Sequence, residues 1–589
     1  MYYLFLGQVR RLSLMAAAAV VFWSGAALGA ATPSIPQYVD GQLLVAFEPG
    51  TAASEIAAAH RRNGAQIERT IDSIGVQVLS IPAGSVPAML QVYRSNSNVK
   101  FAEPNYLRPL ILPGEGSFGN GTDVISEQWS LHNSGQTLTT HADPTTGESP
   151  YPYTAAGADI NMPEAWDVEQ GDASVLVAVP DSGVDCQHGD LVAKCVDNED
   201  WVTRTVDPYG TPIPDLVDRI GHGTHVAGTI GMDTDNDAGG AGVGWNVRIG
   251  SFKVCYQVEY VGVILGSACE DADIAAAIGR AVFLGYDVIN MSFGQAAPSA
   301  VVEAALNDAA DAGLILVAAA GNNGNWQKFY PAAYPEVISV GATNSWDDRA
   351  GFSTFSTEVD DWVDLLAPGD SIIATVPNSF CSSTATQCFG WKRGTSMASP
   401  HVAGVAALVL SYLQRTDAAN ANRVEVRRRM QDCADATGAI GQDMLVWSRY
   451  GRLNAAAALN CGGGGGGGGD TGGGGGGSDA TGSHLAALTV SSAAAGGNTW
   501  SSEVSVRIHD INHAPVSGAL VTFDTTTSAT PSCTTDDSGF CTAEPVFQHK
   551  KNGSVTYSIS SIGAPDYAPG DNHDSSDSPI GESVTATKP

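Results

Sequence analysis

Gly394-Thr395-Ser396-Met397-Ala398-Ser399-Pro400-His401-Val402-Ala403-Gly404 is the stretch on which the reading of this chain turns. A serine among small residues, just ahead of the apolar run 402–413, suits a hydroxyl carried at a helix N-terminus, where unpaired backbone N–H groups stabilise negative charge. Acyl-transfer chemistry wants its nucleophile in such a place. A bare hydroxyl is a weak nucleophile at neutral pH, so the remaining chain has to supply a base, a carboxylate to orient it, and donors for an oxyanion.

Outward from that stretch, Val175-Leu176-Val177-Ala178-Val179-Pro180-Asp181-Ser182-Gly183 reads as a buried strand that delivers Asp181 into a glycine-containing turn. Gly221-His222-Gly223-Thr224-His225-Val226-Ala227-Gly228 supplies an imidazole, and Ala318-Ala319-Ala320-Gly321-Asn322 supplies a side-chain amide. A lone Asp after a strand is ordinarily a turn former and a lone Gly-Thr-Ser a helix cap. Three long motifs in the order Asp, His, Ser are a different matter, because that order separates subtilisin from chymotrypsin and from the α/β-hydrolases. By these motifs the chain resembles the subtilases, the subtilisin-like serine proteases, over roughly residues 125–460. The resemblance implies Ser396 as nucleophile, His222 as general base and acid, and Asp181 as orienting carboxylate. It implies an oxyanion hole from the Asn322 side chain and the Ser396 N–H. His188, His225 and His401 are read as structural. Pro180 departs from the aliphatic residue the family generally carries there, so either the strand ends one residue early or Asp181 is held differently.

Peptide substrates bind subtilases as an added strand, and the resemblance assigns substrate contacts to Ser292, Phe293 and Gly294 and to backbone near 253–255. Phe329 aligns near the base of the pocket for the residue before the scissile bond, where no carboxylate is evident. The resemblance also implies structural calcium: Asp190 with Gln128 and the loop carrying Asp233, Asp235 and Asp237 offers the hard oxygens calcium takes, and Asp364 matches a second, weaker cation site.

Between these motifs short apolar runs at 175–179, 247–253, 288–291, 314–319 and 337–340 alternate with helical patterns near 222, at 271–284, 301–312 and 401–413. Continuous apolar strands between helices predict an α/β, subtilisin-like fold with a largely parallel sheet covered by helices on both faces.

At 589 residues the chain exceeds one ordinary domain. Residues 1–31 carry Arg10-Arg11, an apolar run through Val20-Val21-Phe22-Trp23 and small residues to Ala31, the pattern of a cleaved signal peptide. No later stretch is long and apolar enough for a stable membrane span. Residues 38–110 pattern as β-α-β-β-α-β, a ferredoxin-like α+β arrangement. Their ending, Val99-Lys100-Phe101-Ala102-Glu103-Pro104-Asn105, resembles the subtilase propeptide, which implies a folding assistant and inhibitor. The protease region is expected over 125–461, a glycine-rich linker over 462–482, and a C-terminal β-sandwich resembling Ig-like modules over 483–589.

Ten cysteines agree with export. Pairing within close-spaced sets is expected: Cys186 with Cys195, Cys255 with Cys269, Cys381 with Cys388, Cys433 with Cys461, and Cys533 with Cys541. A net charge of −33 argues against nucleic acid as a partner. The reading is a secreted, monomeric serine endopeptidase acting on proteins or peptides, made as an autoprocessed zymogen that its own propeptide inhibits. The alternative is an adhesin or binding protein on an inactive protease scaffold.

Overall fold

The computed structural model describes residues 34–110, 118–119, 127–136, 138, 154–357, 360–381, 387–461 and, in segments, 484–587. The export segment expected over 1–31 and the glycine tether expected over 462–482 lie outside them.

The N-terminal segment folds as β1 (Tyr38–Phe47), α1 (Ala53–Asn63), β2 (Gln66–Ile71), β3 (Val76–Ser80), α2 (Val86–Arg94) and β4 (Val99–Arg108). Its sheet runs β2-β3-β1-β4 with antiparallel neighbours, the order of a ferredoxin-like fold. Period-two alternation divides its side chains between two cores. Leu43, Val45 and Leu79 pack with Val86 and Tyr93 of α2. Leu44, Ala46, Val76 and Val78 turn the other way, into a core shared with the remainder of the chain.

That remainder is built on an eight-stranded sheet of β5 (Leu176–Asp181), β6 (Cys195–Asp200), β7 (Arg248–Lys253), β10 (Val288–Met291), β11 (Ile315–Ala319), β12 (Val337–Thr343), β13 (Leu365–Pro368) and β14 (Gly451–Arg452). The order is β14-β13-β12-β11-β10-β5-β7-β6, and each adjacent pair is parallel. Both faces of β5, β7, β10, β11, β12 and β13 are largely buried, which is why most of these strands read as near-continuous apolar runs, whereas the edge strand β6 is polar and partly exposed. Val317 points into one core with α3 (His222–Gly231) and α6 (Thr395–Thr416). Leu316 and Ala318 point into the other, with α4 (Asp271–Leu284) and α5 (Ala300–Asp311). Among the described residues α6 alone is long and apolar enough to cross a membrane, and it is buried inside this core.

A hairpin of β8 (Cys255–Tyr260) and β9 (Val263–Glu270) leaves the main sheet after β7. Its β9 edge pairs antiparallel with β4, so the N-terminal sheet continues as β2-β3-β1-β4-β9-β8. The C-terminal residues form two antiparallel sheets that share one core, Trp500, Val504 and Val506 from one meeting Val521, Phe523 and Tyr557 from the other. All ten cysteines are joined in the five close-spaced pairs expected from the sequence.

Pro180 does not end β5 early. Odd-numbered residues of this strand bond to β7, as Arg248 N does to Val175 O and Val254 N to Asp181 O. Even-numbered residues face β10, as Asp287 N does to Leu176 O. The ladder with β10 is registered only to Ala178, so the donor that proline lacks falls where that ladder has already stopped.

Candidate active site

Sheet order reverses direction between β5 and β10, and the carboxyl ends of strands at such a switch point form a crevice. Asp181 closes β5, Ser292 follows β10, Asn322 follows β11, and the N-termini of α3 and α6 face the same end.

His222 Nδ1 lies 2.8 Å from Asp181 Oδ1 and 3.0 Å from Oδ2, with both side chains fully buried. Asp181 Oδ1 also accepts the Ser182 N–H at 2.7 Å. The carboxylate fixes the tautomer with the proton on Nδ1, which leaves Nε2 as an acceptor. Nε2 is buried and has no hydrogen-bond partner among the described residues. Close approach of α3 requires glycine after the histidine, since a Cβ at Gly223 would stand 2.2 Å from Gly183 O. Asp218, which motif reading passed over, anchors the same helix end. Its Oδ2 accepts from Thr224 N at 3.0 Å and Thr224 Oγ1 at 2.7 Å, and its Oδ1 accepts from Gly221 N and Ser182 Oγ, both at 2.8 Å. A carboxylate three residues before the N-cap Gly221, with a threonine in the first helical turn, is the signal that could have found it.

Ser396 is the second residue of α6, and its Oγ donates to the Ser292 carbonyl at 3.1 Å. Pro400 explains the local geometry. Having no N–H, it cannot satisfy the carbonyl four residues back, that of Ser396. Ser292 Oγ donates to this carbonyl instead, at 3.1 Å, and sits 3.0 Å from Ser399 Oγ. Asn322 Oδ1 accepts from Thr395 N at 2.9 Å and Thr395 Oγ1 at 3.0 Å, so the other end of the amide, Nδ2, is the donor end. Three further motif histidines are held by backbone carbonyls: His225 Nε2 meets those of Ile372 and Gly390, His188 Nε2 that of Cys388, and His401 Nδ1 that of Met397. Burial pushes the imidazoles of all three down.

The N-terminal segment enters the crevice. Past β4, Gly294 N donates to Pro109 O at 3.3 Å and Leu110 bridges Phe293 antiparallel. On the other side β4 pairs with β9 at Cys269 and Glu270, and Leu110 N donates to Ser267 Oγ at 3.0 Å. On this side the segment is edged by β9, whose Cys269 pairs in turn with Cys255. Three contacts tie this segment to helix N-termini. Glu103 accepts from Ser299 Oγ at 2.8 Å and from Ala300 N and Val301 N at 3.0 Å, at the start of α5. Burial raises its carboxyl above the ordinary range while those donors act against the shift. Asn105 Oδ1 accepts from Ala272 N at the start of α4, and Arg108 is paired with Asp271 in the same helix turn. Phe329 is buried against two glycines: a Cβ at Gly294 would stand 2.7 Å from its ring and one at Gly321 3.0 Å.

The expected cation residues separate into two groups. Asp190 is fully buried; its oxygens accept from Asn236 Nδ2 at 3.2 Å, Gln387 Nε2 at 3.1 Å and Gly240 N at 3.3 Å. Gln128 Oε1 accepts from the neighbouring Ala241 N at 2.7 Å. Asp233 instead pairs with Lys194 at 3.3 Å, and Asp235 and Asp237 occupy left-handed turn positions. Among the described residues no three His, Cys, Asp or Glu side chains converge as a metal-holding group. The loop expected to join Asp190 meets it through Asn236 Nδ2, Gly240 N and the Asp233 N–H, which donates to the Asp190 carbonyl at 2.8 Å, and the Asp233 charge helps to raise the Asp190 carboxyl. Asp364 accepts from Arg427 at 3.2 Å and from Ser339 N at 3.1 Å.

The subtilase family profile matches residues 172–452, and that of the fervidolysin N-terminal prodomain matches residues 25–105. A thermophilic serine proteinase of Bacillus sp. (strain AK1) is 32% identical over 422 residues, which cover 72% of this chain and 88% of that protein. Thermitase of Thermoactinomyces vulgaris is 34% identical over 300 residues, 51% of this chain and 93% of thermitase. The crystal structure of fervidolysin from Fervidobacterium pennivorans, described as a keratinolytic enzyme related to subtilisin, superposes with a TM-score of 0.53 over 88% of this chain and 71% of its own. At 21% identity that likeness is one of fold.

Proposed function

The chain belongs to the subtilase family and is a subtilisin-like serine endopeptidase with an N-terminal prodomain, and on that premise we propose that Asp181, His222 and Ser396 form one catalytic unit. The observation that carries the proposal is the buried His222 ring, held by Asp181 at Nδ1 and, among the described residues, without a partner at Nε2. Ser396 Oγ attacks the scissile carbonyl as its proton passes to Nε2, and Asp181 stabilises the imidazolium that forms. The tetrahedral oxyanion is received by Asn322 Nδ2 and the Ser396 N–H. His222 then protonates the leaving amine, and the acyl-enzyme on Ser396 is hydrolysed by water activated in the same way. Before attack Ser396 Oγ has to leave the Ser292 carbonyl and turn toward His222.

Residues 38–110 act as the inhibitory propeptide, their tail lying between β9 and residues 292–294 as a substrate would. Five disulfides support a protein exported to an oxidising compartment. Asp190, Gln128 and Asn236 fit a structural calcium ion, because a fully buried carboxylate with no basic partner among the described residues sits among oxygen-bearing amides. When bound, the ion would neutralise Asp190 and brace the 233–241 loop. The region 125–461 is the protease and 483–589 a separate module on a glycine tether.

Casein hydrolysis by the purified protein tests the catalytic proposal. Ser396→Ala and His222→Ala should each lower turnover on the order of 10⁶-fold, the size the same triad has in subtilisin, and a serine-directed organofluoride should abolish it. Retained hydrolysis in Ser396→Ala, or instant stoichiometric loss on chelation, refutes it.

A further inference from the structure

Arg108 is the last residue of β4, and its side chain is fully buried although it belongs to a segment that a zymogen discards. Its guanidinium makes a two-point pair with Asp271, Nε to Oδ1 and Nη2 to Oδ2, the latter at 3.0 Å. Nη1 donates to the carbonyls of Tyr330 at 3.1 Å and Ala297 at 3.3 Å. The socket therefore presents one carboxylate and two carbonyls, all acceptors, to a flat group with donors on three nitrogens. That arrangement suits arginine; a lysine ammonium offers one point charge and cannot span it.

The socket lies in the crevice itself. Arg108 is paired with Cys269 of β9, and Leu110, two residues on, bridges Phe293. Its walls, Asp271, Ala297 and Tyr330, all belong to the catalytic region and stay behind when the propeptide leaves. Among the described residues Arg108 is the one hydrogen-bond partner of the Asp271 side chain. Glu270 keeps Arg204, and Asp273 keeps Thr203, after the propeptide's Asn105 and Arg69 depart. Asp271 keeps no cation, and a buried carboxylate beside two others is costly to leave unpaired.

We propose that the Asp271 socket is an arginine-selective substrate subsite, so that the mature enzyme prefers polypeptides with Arg two residues before an apolar residue seated at Phe293. In the zymogen Arg108 occupies this subsite. The inference rests on reading the crevice as the peptide-binding cleft, and it concerns a position distinct from the one expected at Phe329.

The test uses the autoprocessed enzyme and fluorogenic peptides of the sequence 105–113, carrying Arg, citrulline, Lys or Ala at the Arg108 position, with product masses locating the cut. The Arg peptide should exceed the Ala and citrulline peptides by about 100-fold in kcat/KM, with Lys about 10-fold below Arg, mostly through KM. Asp271→Asn should bring the Arg-to-citrulline ratio below about 5. Binding of the same labelled peptides to organofluoride-blocked enzyme, read by anisotropy, separates the subsite from the chemistry. Arg-dependent binding without turnover supports the subsite and counts against the catalytic reading. Equal binding of the Arg, citrulline and Ala peptides overturns the subsite, whatever the turnover.

Discussion

Removing the Glu103 carboxylate should loosen the propeptide's hold on the protease without touching the crevice. Glu103 takes three donors at the start of α5: the Ser299 hydroxyl and the N–H groups of Ala300 and Val301. A hydrogen bond to a charged group contributes about 1.5–3 kcal/mol net, and negative charge at a helix N-terminus adds about 0.3–1 kcal/mol. Two effects reduce the sum. In the free protease water satisfies the same donors, and burial of Glu103, which raises its carboxyl, has to be offset. About 2–3 kcal/mol should remain, a factor of about 30–150 in affinity. The assay is inhibition of the processed enzyme by separately added propeptide, residues 38–110, with a small chromogenic substrate. Glu103→Ala should raise the inhibition constant about 30- to 150-fold. Glu103→Gln, which keeps an acceptor but no charge, should raise it about 5- to 20-fold. Far-ultraviolet dichroism of the free propeptides has to match, since a misfolded propeptide would mimic the effect. A change below about threefold with matched dichroism refutes the cap as an anchor and moves the affinity into the tail at Arg108 and Leu110.

Asn322→Ala should lower kcat by about 10²–10³ with little change in KM, the size the corresponding donor has in subtilisin; a rise in KM alone refutes the oxyanion role. Burial holds His401 down at about 4, whereas the unfolded chain titrates it near about 6.5. The unfolded state therefore binds the extra proton between these values, and stability falls as pH drops from about 6.5 toward 4. A folded His401→Gln variant should lose on the order of 1–3 kcal/mol less than the parent between pH 7 and pH 4.5 in urea titrations, and equal losses refute the assignment. Chelation should lower thermal stability and inactivate slowly, and Asp190→Ala should reproduce the loss and abolish its calcium dependence; a melting temperature indifferent to calcium in the parent refutes a site there.

Local spacing carried much of the architecture. Apolar runs that alternate with helical patterns correspond to β5, β7, β10, β11 and β12 and to the helices between them, since burial on both faces leaves a signature in every strand. The ferredoxin-like segment was equally legible from its alternation. The β8–β9 hairpin was not, for Val261 takes a left-handed conformation at its turn and Val263 and Ile264 are exposed. A β-branched residue at a positive φ is contrary to ordinary turn chemistry, and outward-facing valines do not read as a core strand.

For the candidate site, the sequence by itself determined the motifs, their order and the residues that could carry the chemistry, because each motif is a short stretch whose role is set by its own strand end or helix start. Only the tertiary structure decided which carboxylates meet which partners. Glu103 on α5, Arg108 on Asp271, and Asp190 with the amides of Asn236 and Gln387 all join residues far apart in the chain. Arg108 and Asp271 are 163 positions apart, and Glu103 and Ser299 are 196. At such separations no local periodicity links the two residues; a buried charge finds its partner only where the folded backbone places donor and acceptor side by side and removes the water between them.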